Sequence, residues 1–110
     1  MRLRYPGRQR RRARTLARVL VVIRFRVTDP ESFGPRVDDA LAVLRTREGF
    51  EEADLVRNLD EADLWALVTR WRNVGSYRRA LQGYESKLVV VPLLSEALDE
   101  PSAYEDPELL

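Results

Sequence analysis

Residues 64–82, LWALVTRWRNVGSYRRALQ, decide the fold. The stretch Leu64–Trp71 mixes β-branched, aromatic and other apolar side chains without Gly or Pro, the composition of a mostly buried strand. Asn73 then offers an N-cap oxygen, and Tyr77, Ala80, Leu81 and Tyr84 recur at helical spacing, so the strand passes into an amphipathic helix. The junction sets Trp71 and Tyr77 beside one corner, and that corner is the candidate site.

Working outward, the hairpin partner of this strand lies just before it. Residues 50–59, FEEADLVRNL, read as a weaker strand, and the polar turn 60–63, DEAD, joins the two in antiparallel fashion. Upstream, residues 19–27, VLVVIRFRV, alternate: Val19, Val21, Ile23, Phe25 and Val27 form one apolar face, and Leu20, Val22, Arg24 and Arg26 the other. Asp29, Pro30 and Glu31 are a helix start, as N-cap, first helical residue and dipole-complementing acid. The stripe Phe33, Val37, Ala40, Leu41 and Leu44 predicts a helix packed on the sheet, with Gly49 as its C-cap candidate. Downstream, residues 84–91 read as an irregular last helical turn before Pro92, residues 93–98 as a short final strand, and residues 102–110 as a loose acidic tail.

The predicted order is strand, helix, strand, strand, helix, strand. This is the βαββαβ pattern of an α+β, ferredoxin-like sandwich, an antiparallel sheet with two helices on one face. The domain is expected over residues 19–104, after a basic extension at 1–18 and before a tail at 105–110. The open sheet face, expected to carry Leu20, Val22, Val56, Trp65, Leu67 and Trp71, is too apolar for water, so a homodimer packed sheet to sheet is expected.

Composition restricts the chemistry. The chain has 110 residues, 45% of them hydrophobic, enough for one domain and one core. It has no Cys and no His, which removes disulfides, thiolate nucleophiles, imidazole bases and the usual haem and zinc ligands. Carboxylates, Tyr, Arg, Lys and Ser remain. The net charge of +1 conceals an asymmetry: residues 1–18 hold eight Arg and no acid, leaving eleven basic side chains against all eighteen acidic ones. Three readings of that extension stay open: a stretch without a role, a tether to nucleic acid or an anionic membrane, and a targeting peptide, the last opposed by its short apolar run. Apart from that extension no nucleic-acid partner is expected, and with no membrane span in the sequence the protein is expected to be cytoplasmic.

The opening strand VVIRFRV, the helix entered by TDPESF, the segment REGFEEADLVRN, and above all LVTRW followed by NVGSYRRAL resemble the antibiotic biosynthesis monooxygenase family of dimeric ferredoxin-like α/β barrels. The resemblance covers the body and not the Arg-rich extension. It implies a homodimer acting on a small molecule. In one branch, polycyclic phenols become quinones without metal or flavin, the substrate anion reacting with dioxygen itself. Members of that branch carry a Trp at the end of the third strand and a Tyr six residues later, positions matched by Trp71 and Tyr77, and an Asn four residues before the Trp, where this chain has Leu67. Asn58 on the neighbouring strand is the candidate replacement for that amide. The haem-degrading branch needs a His and is excluded; no cofactor is expected.

The resulting candidates are Trp71, Tyr77 and Asn58 for catalysis, and Arg24, Trp65 and Leu67 for substrate binding. Arg24 would favour a deprotonated substrate. Each has a plain structural alternative: core packing for Trp71 and Leu67, helix-face packing for Tyr77, interface ballast for Trp65 and a solvated charge for Arg24. Two functions follow, a cofactor-independent monooxygenase for an aromatic, phenolic or quinol-like substrate, and a non-catalytic dimeric binding or interaction protein on the same fold.

Overall fold

A computed structural model describes residues 18–109. The extension read over residues 1–18 therefore lies outside the described residues, except for Arg18, whose N–H donates to the Trp71 carbonyl at 2.9 Å. Strand β1 (Val19–Arg26) buries every second residue, as its alternation demands. Helix α1 (Pro30–Leu44) begins where expected: the Asp29 carboxylate accepts from the Ser32 N–H, Pro30 opens the first turn, and Phe33, Val37, Ala40, Leu41 and Leu44 are buried. Strand β2 (Phe50–Arg57) is two residues shorter than the sequence suggests, and β3 (Leu64–Trp71) has the predicted limits. Asn73 caps helix α2 (Val74–Ala80), its side-chain oxygen accepting from the Ser76 N–H at 2.8 Å.

The four strands form one antiparallel sheet in the order β2-β3-β1-β4, the ferredoxin-like arrangement. β4 is Ala103–Glu105, paired with Val19 to Val21, and not the predicted 93–98. Residues 86–90 instead make a π-helical turn that runs into helix α3 (Val91–Leu94), Pro92 lying in its first turn where a missing N–H costs nothing. The tail expected from residue 102 thus supplies the last strand, and Pro107–Leu109 closes it with a 3-10 turn. Two further readings are corrected. Helix α1 ends at Leu44 with Arg45 as its C-cap, so Gly49 is not its cap; the Gly49 φ of +90° turns the chain into β2. Helix α2 stops before Tyr84, which is exposed beyond Gly83, a second residue of positive φ.

Register decides which face of the sheet each aromatic occupies. Val19 opposes Trp71, Ile23 opposes Leu67 and Phe25 opposes Trp65. Directly opposed residues share a face, so Trp65, Leu67 and Trp71 lie under the helices with the β1 core residues, contrary to the sequence expectation. Their strand is apolar on both sides, so its composition alone could not orient it. The open face carries Leu20, Val22, Ala66, Val68, Val56 and Tyr104. Val56 and Tyr104 are about half exposed, at 49% and 54%. Ion pairs ring this apolar centre: Arg24 with Glu100, Arg26 with Glu61 and Asp63, and Arg70 with Glu52. No described helix is long and apolar enough to cross a membrane.

Candidate functional site

The corner of β3 and α2 is built as read, but it is closed. Trp71 has no solvent exposure. Its indole N–H donates to the Thr69 hydroxyl at 2.9 Å, which also explains why a Thr can be buried on this face. Phe50 meets the indole edge-on at 5.3 Å between centroids, and Tyr77 lies tilted against it at 5.8 Å. Trp71 is therefore the floor on which Tyr77 rests.

Tyr77 is half-buried and faces the other way, into a cleft of about 380 Å³. Ile23 and Arg24 of β1, Leu94 of α3, and Ser95, Leu98, Asp99, Glu100 and Ser102 of the segment leading to β4 complete much of its lining. That segment is a strap along the free edge of β1. The Leu98 N–H donates to the Arg24 carbonyl at 2.8 Å, and the Val22 N–H to the Ser102 carbonyl at 2.7 Å, leaving residues 99–101 to arch between the two bonds. Burial holds the Tyr77 phenol above its ordinary pKa. It is accordingly a neutral hydrogen-bond donor through the neutral range. Its hydroxyl has no partner among the described residues.

Arg24, whose side chain starts from the open face of the sheet, borders the same cleft at the free edge of β1, though not as a free cation. Its Nε and Nη2 grip the two carboxylate oxygens of Glu100 at 2.7 and 2.8 Å, a two-pronged pair. Each group is shifted first by the hydrogen bond to the other: the guanidinium lies above its usual value and the Glu100 carboxyl below the ordinary carboxylate range. Arg24 therefore presents an ion pair to the cleft, not the free guanidinium that stabilising a substrate anion would call on. A second pair, Arg36 with Glu96, anchors the start of the strap from α1 and lowers the Glu96 carboxyl in the same way.

Both carboxyls have depressed values in the folded state, so their contribution is complete above the unfolded carboxylate range and is lost as pH falls through the folded values. The strap should open in acid before the core does. Hydrogen-exchange protection of the Leu98 amide is expected to fall on acidification while that of β1–β3 ladder amides persists; equal loss at both would refute it.

The remaining candidates are elsewhere. Asn58 sits at the far end of β3 from Trp71, about seven residues or some 23 Å of strand away. Its side-chain oxygen accepts from the Asp60 and Glu61 amides, which makes it a turn residue. Trp65 lies edge-on to Phe33 at 6.0 Å and donates its indole N–H to the Ala62 carbonyl, while Leu67 is wholly buried in the core. None of the three lines the cleft. Glu100, Asp99, Ser95 and Ser102 went unread because the strap has no periodic pattern. The one available signal was that Arg24 on a strand wants a counter-charge, with eighteen acids to choose from. No group of three or more His, Cys, Asp or Glu among the described residues could hold a metal ion.

Solved structures share this architecture. A cofactor-independent oxygenase of Streptomyces nogalater, SnoaB, superposes with a TM-score of 0.71 at 22% identity, over 82% of this chain and 93% of its own. A conserved protein of Methanosarcina mazei gives 0.68 at 21% identity, over 86% and 98%. A Nitrosomonas europaea protein carrying the name of an antibiotic biosynthesis monooxygenase gives 0.62 at 14%, over 81% and 98%. No match was found among curated proteins. The family model described as antibiotic biosynthesis monooxygenase matches residues 18–89, from the first strand into the π-helical turn, so β1 to β3, α1 and the Trp71–Tyr77 corner fall within it while β4 lies beyond it: the chain belongs to the antibiotic biosynthesis monooxygenase family.

Proposed function

We propose that the protein is a cofactor-independent monooxygenase that oxidises a small phenolic or quinol-like aromatic in the cleft beside Tyr77. The observation that carries the reading is a protonated, unpartnered phenol facing a cleft of about 380 Å³ in a chain of this family. That volume lies within the range of small-molecule sites. Tyr77 donates a hydrogen bond to a substrate oxygen, and Trp71 positions the Tyr77 ring without touching substrate. In the reaction, a phenol with a free para position and dioxygen give a quinone and water, one oxygen atom entering the ring and the other leaving as water.

Oxygen uptake by metal-free protein over a panel of phenols, hydroquinones and anthrones tests this. Tyr77→Phe is expected to lower kcat/KM by about 10- to 100-fold, the worth of one hydrogen bond to a developing charge, with the fold intact. No uptake across the panel would favour the non-catalytic binding protein, a reading supported by the sealed position of Trp71.

The same reading extends to a homodimer through the open sheet face, supported by its apolar centre and mixed-charge rim, which suits self-association about a two-fold axis. Val22→Asp, at the middle of that face, is expected to convert a dimer into a monomer in sedimentation velocity. A wild-type protein that sediments as a monomer at micromolar concentration would refute it.

A further inference from the structure

The charges that line the cleft are one cation and two anions: Arg24, Glu100 and Asp99. Arg24 spends both of its prongs on Glu100. Asp99 is exposed, and its carboxylate makes no ion pair or side-chain hydrogen bond among the described residues. Arg36, the other guanidinium bonded near the strap, is likewise occupied, by Glu96. An anionic ligand entering here meets a net negative wall and no uncommitted cation, while losing part of its own hydration. A neutral hydroxy-aromatic meets a phenol donor at Tyr77, a carboxylate acceptor at Asp99 and apolar flanks at Ile23, Leu94 and Leu98.

We infer that Glu100 is a specificity-determining residue: by holding Arg24 it makes the cleft select neutral hydroxy-aromatic ligands over their anionic counterparts. The inference rests on the cleft being the ligand site, and concerns which form binds, not whether turnover follows. Glu100 acts through Arg24, so it is a positioning residue whose removal releases a cation at the cleft wall. The selectivity then narrows or reverses without any change in the apolar lining.

Calorimetric titration of the full chain at neutral pH with 2-naphthol and with 2-naphthoate, matched in ring and differing in charge, provides the test. The wild type is expected to bind 2-naphthol at least about tenfold more tightly, the worth of one charge-assisted interaction. Glu100→Gln should narrow or reverse that ratio by strengthening 2-naphthoate, and the double variant with Arg24→Met should lose the gain again. Asp99→Asn leaves the Arg24–Glu100 grip in place and serves if the strap fails to fold without Glu100; it too should strengthen 2-naphthoate relative to 2-naphthol. A wild type that prefers 2-naphthoate, or a folded Glu100→Gln whose ratio is unmoved, overturns the inference, and where Glu100→Gln does not fold an unmoved ratio in Asp99→Asn does so. Absence of binding by either probe overturns it together with the cleft as ligand site, whereas binding with the expected ratio but no oxygen uptake upholds it and removes only the monooxygenase activity.

Discussion

Trp71→Ala is expected to destabilise the protein by about 3–5 kcal/mol, a large share of what a domain of this size has to lose. The indole is wholly buried at the meeting point of β1, β2, β3 and α2, opposed by Val19 and Phe50 in the two neighbouring ladders and capped by Tyr77. Truncation removes its apolar area from the core, leaves a cavity that surrounding strands cannot fill, and strands the Thr69 hydroxyl without its donor. Trp71→Phe separates these contributions, because it keeps most of the ring and removes the N–H. Its cost should be nearer 1–2 kcal/mol, and much smaller in a Thr69→Val background where no hydroxyl is orphaned. Urea denaturation of the four proteins checks the cycle. A Trp71→Ala variant within about 1 kcal/mol of wild type would mean the ring is not the core element its burial indicates.

The same experiment divides structure from chemistry. Where Trp71 only seats Tyr77, Trp71→Phe should keep most of the oxygen uptake, because the ring under Tyr77 remains and the substrate never touches the indole. A loss as deep as that of Tyr77→Phe would place Trp71 in contact with substrate, which requires the corner to open.

How much of this was legible before the structure depended on how local the determining signal is. Asp29, Pro30 and the Phe33 to Leu44 stripe specify α1 by themselves, and so do the alternation of β1 and the Asn73 cap of α2. The side of the sheet taken by Trp71 depends on pairing register, a non-local quantity, and β3 offers apolar residues to both faces. β4 is three residues of modest strand propensity, and it forms because the β1 edge needs partners for its backbone groups. For the site, Tyr77 and Arg24 were recognisable as residue types that carry chemistry. Their environment was not, since Glu100 lies 76 residues from Arg24 and reaches it only because the strap folds back along β1.

Gly49→Ala is expected to be the other severe change, at about 2–5 kcal/mol, although it adds one methyl group at a partly exposed position. Two separate costs combine. The φ of +90° is a conformation that an L side chain resists, costing about 1–2 kcal/mol. A β-carbon would also fall on the Ser76 side chain of α2, whose Cβ and Oγ already occupy its place, and overpacking of that kind costs about 1–3 kcal/mol more. Neither neighbour can retreat cheaply. The Gly49 carbonyl accepts from the Arg72 N–H at 2.8 Å, fixing it against the end of β3, and Ser76 is buried on the helix that carries Tyr77. The Ser76 hydroxyl has no hydrogen-bond partner, so it is present as volume pressed against the glycine and gains nothing by staying. Introducing Gly49→Ala into a Ser76→Gly background should therefore leave only the conformational cost, a coupling of about 1–3 kcal/mol that thermal and urea unfolding can measure. Additive effects would mean that backbone strain alone accounts for the glycine. A strong coupling would establish that the turn into β2 and the helix bearing Tyr77 are packed as one unit, so that the position of the phenol over the cleft is set from beneath by a residue with no side chain.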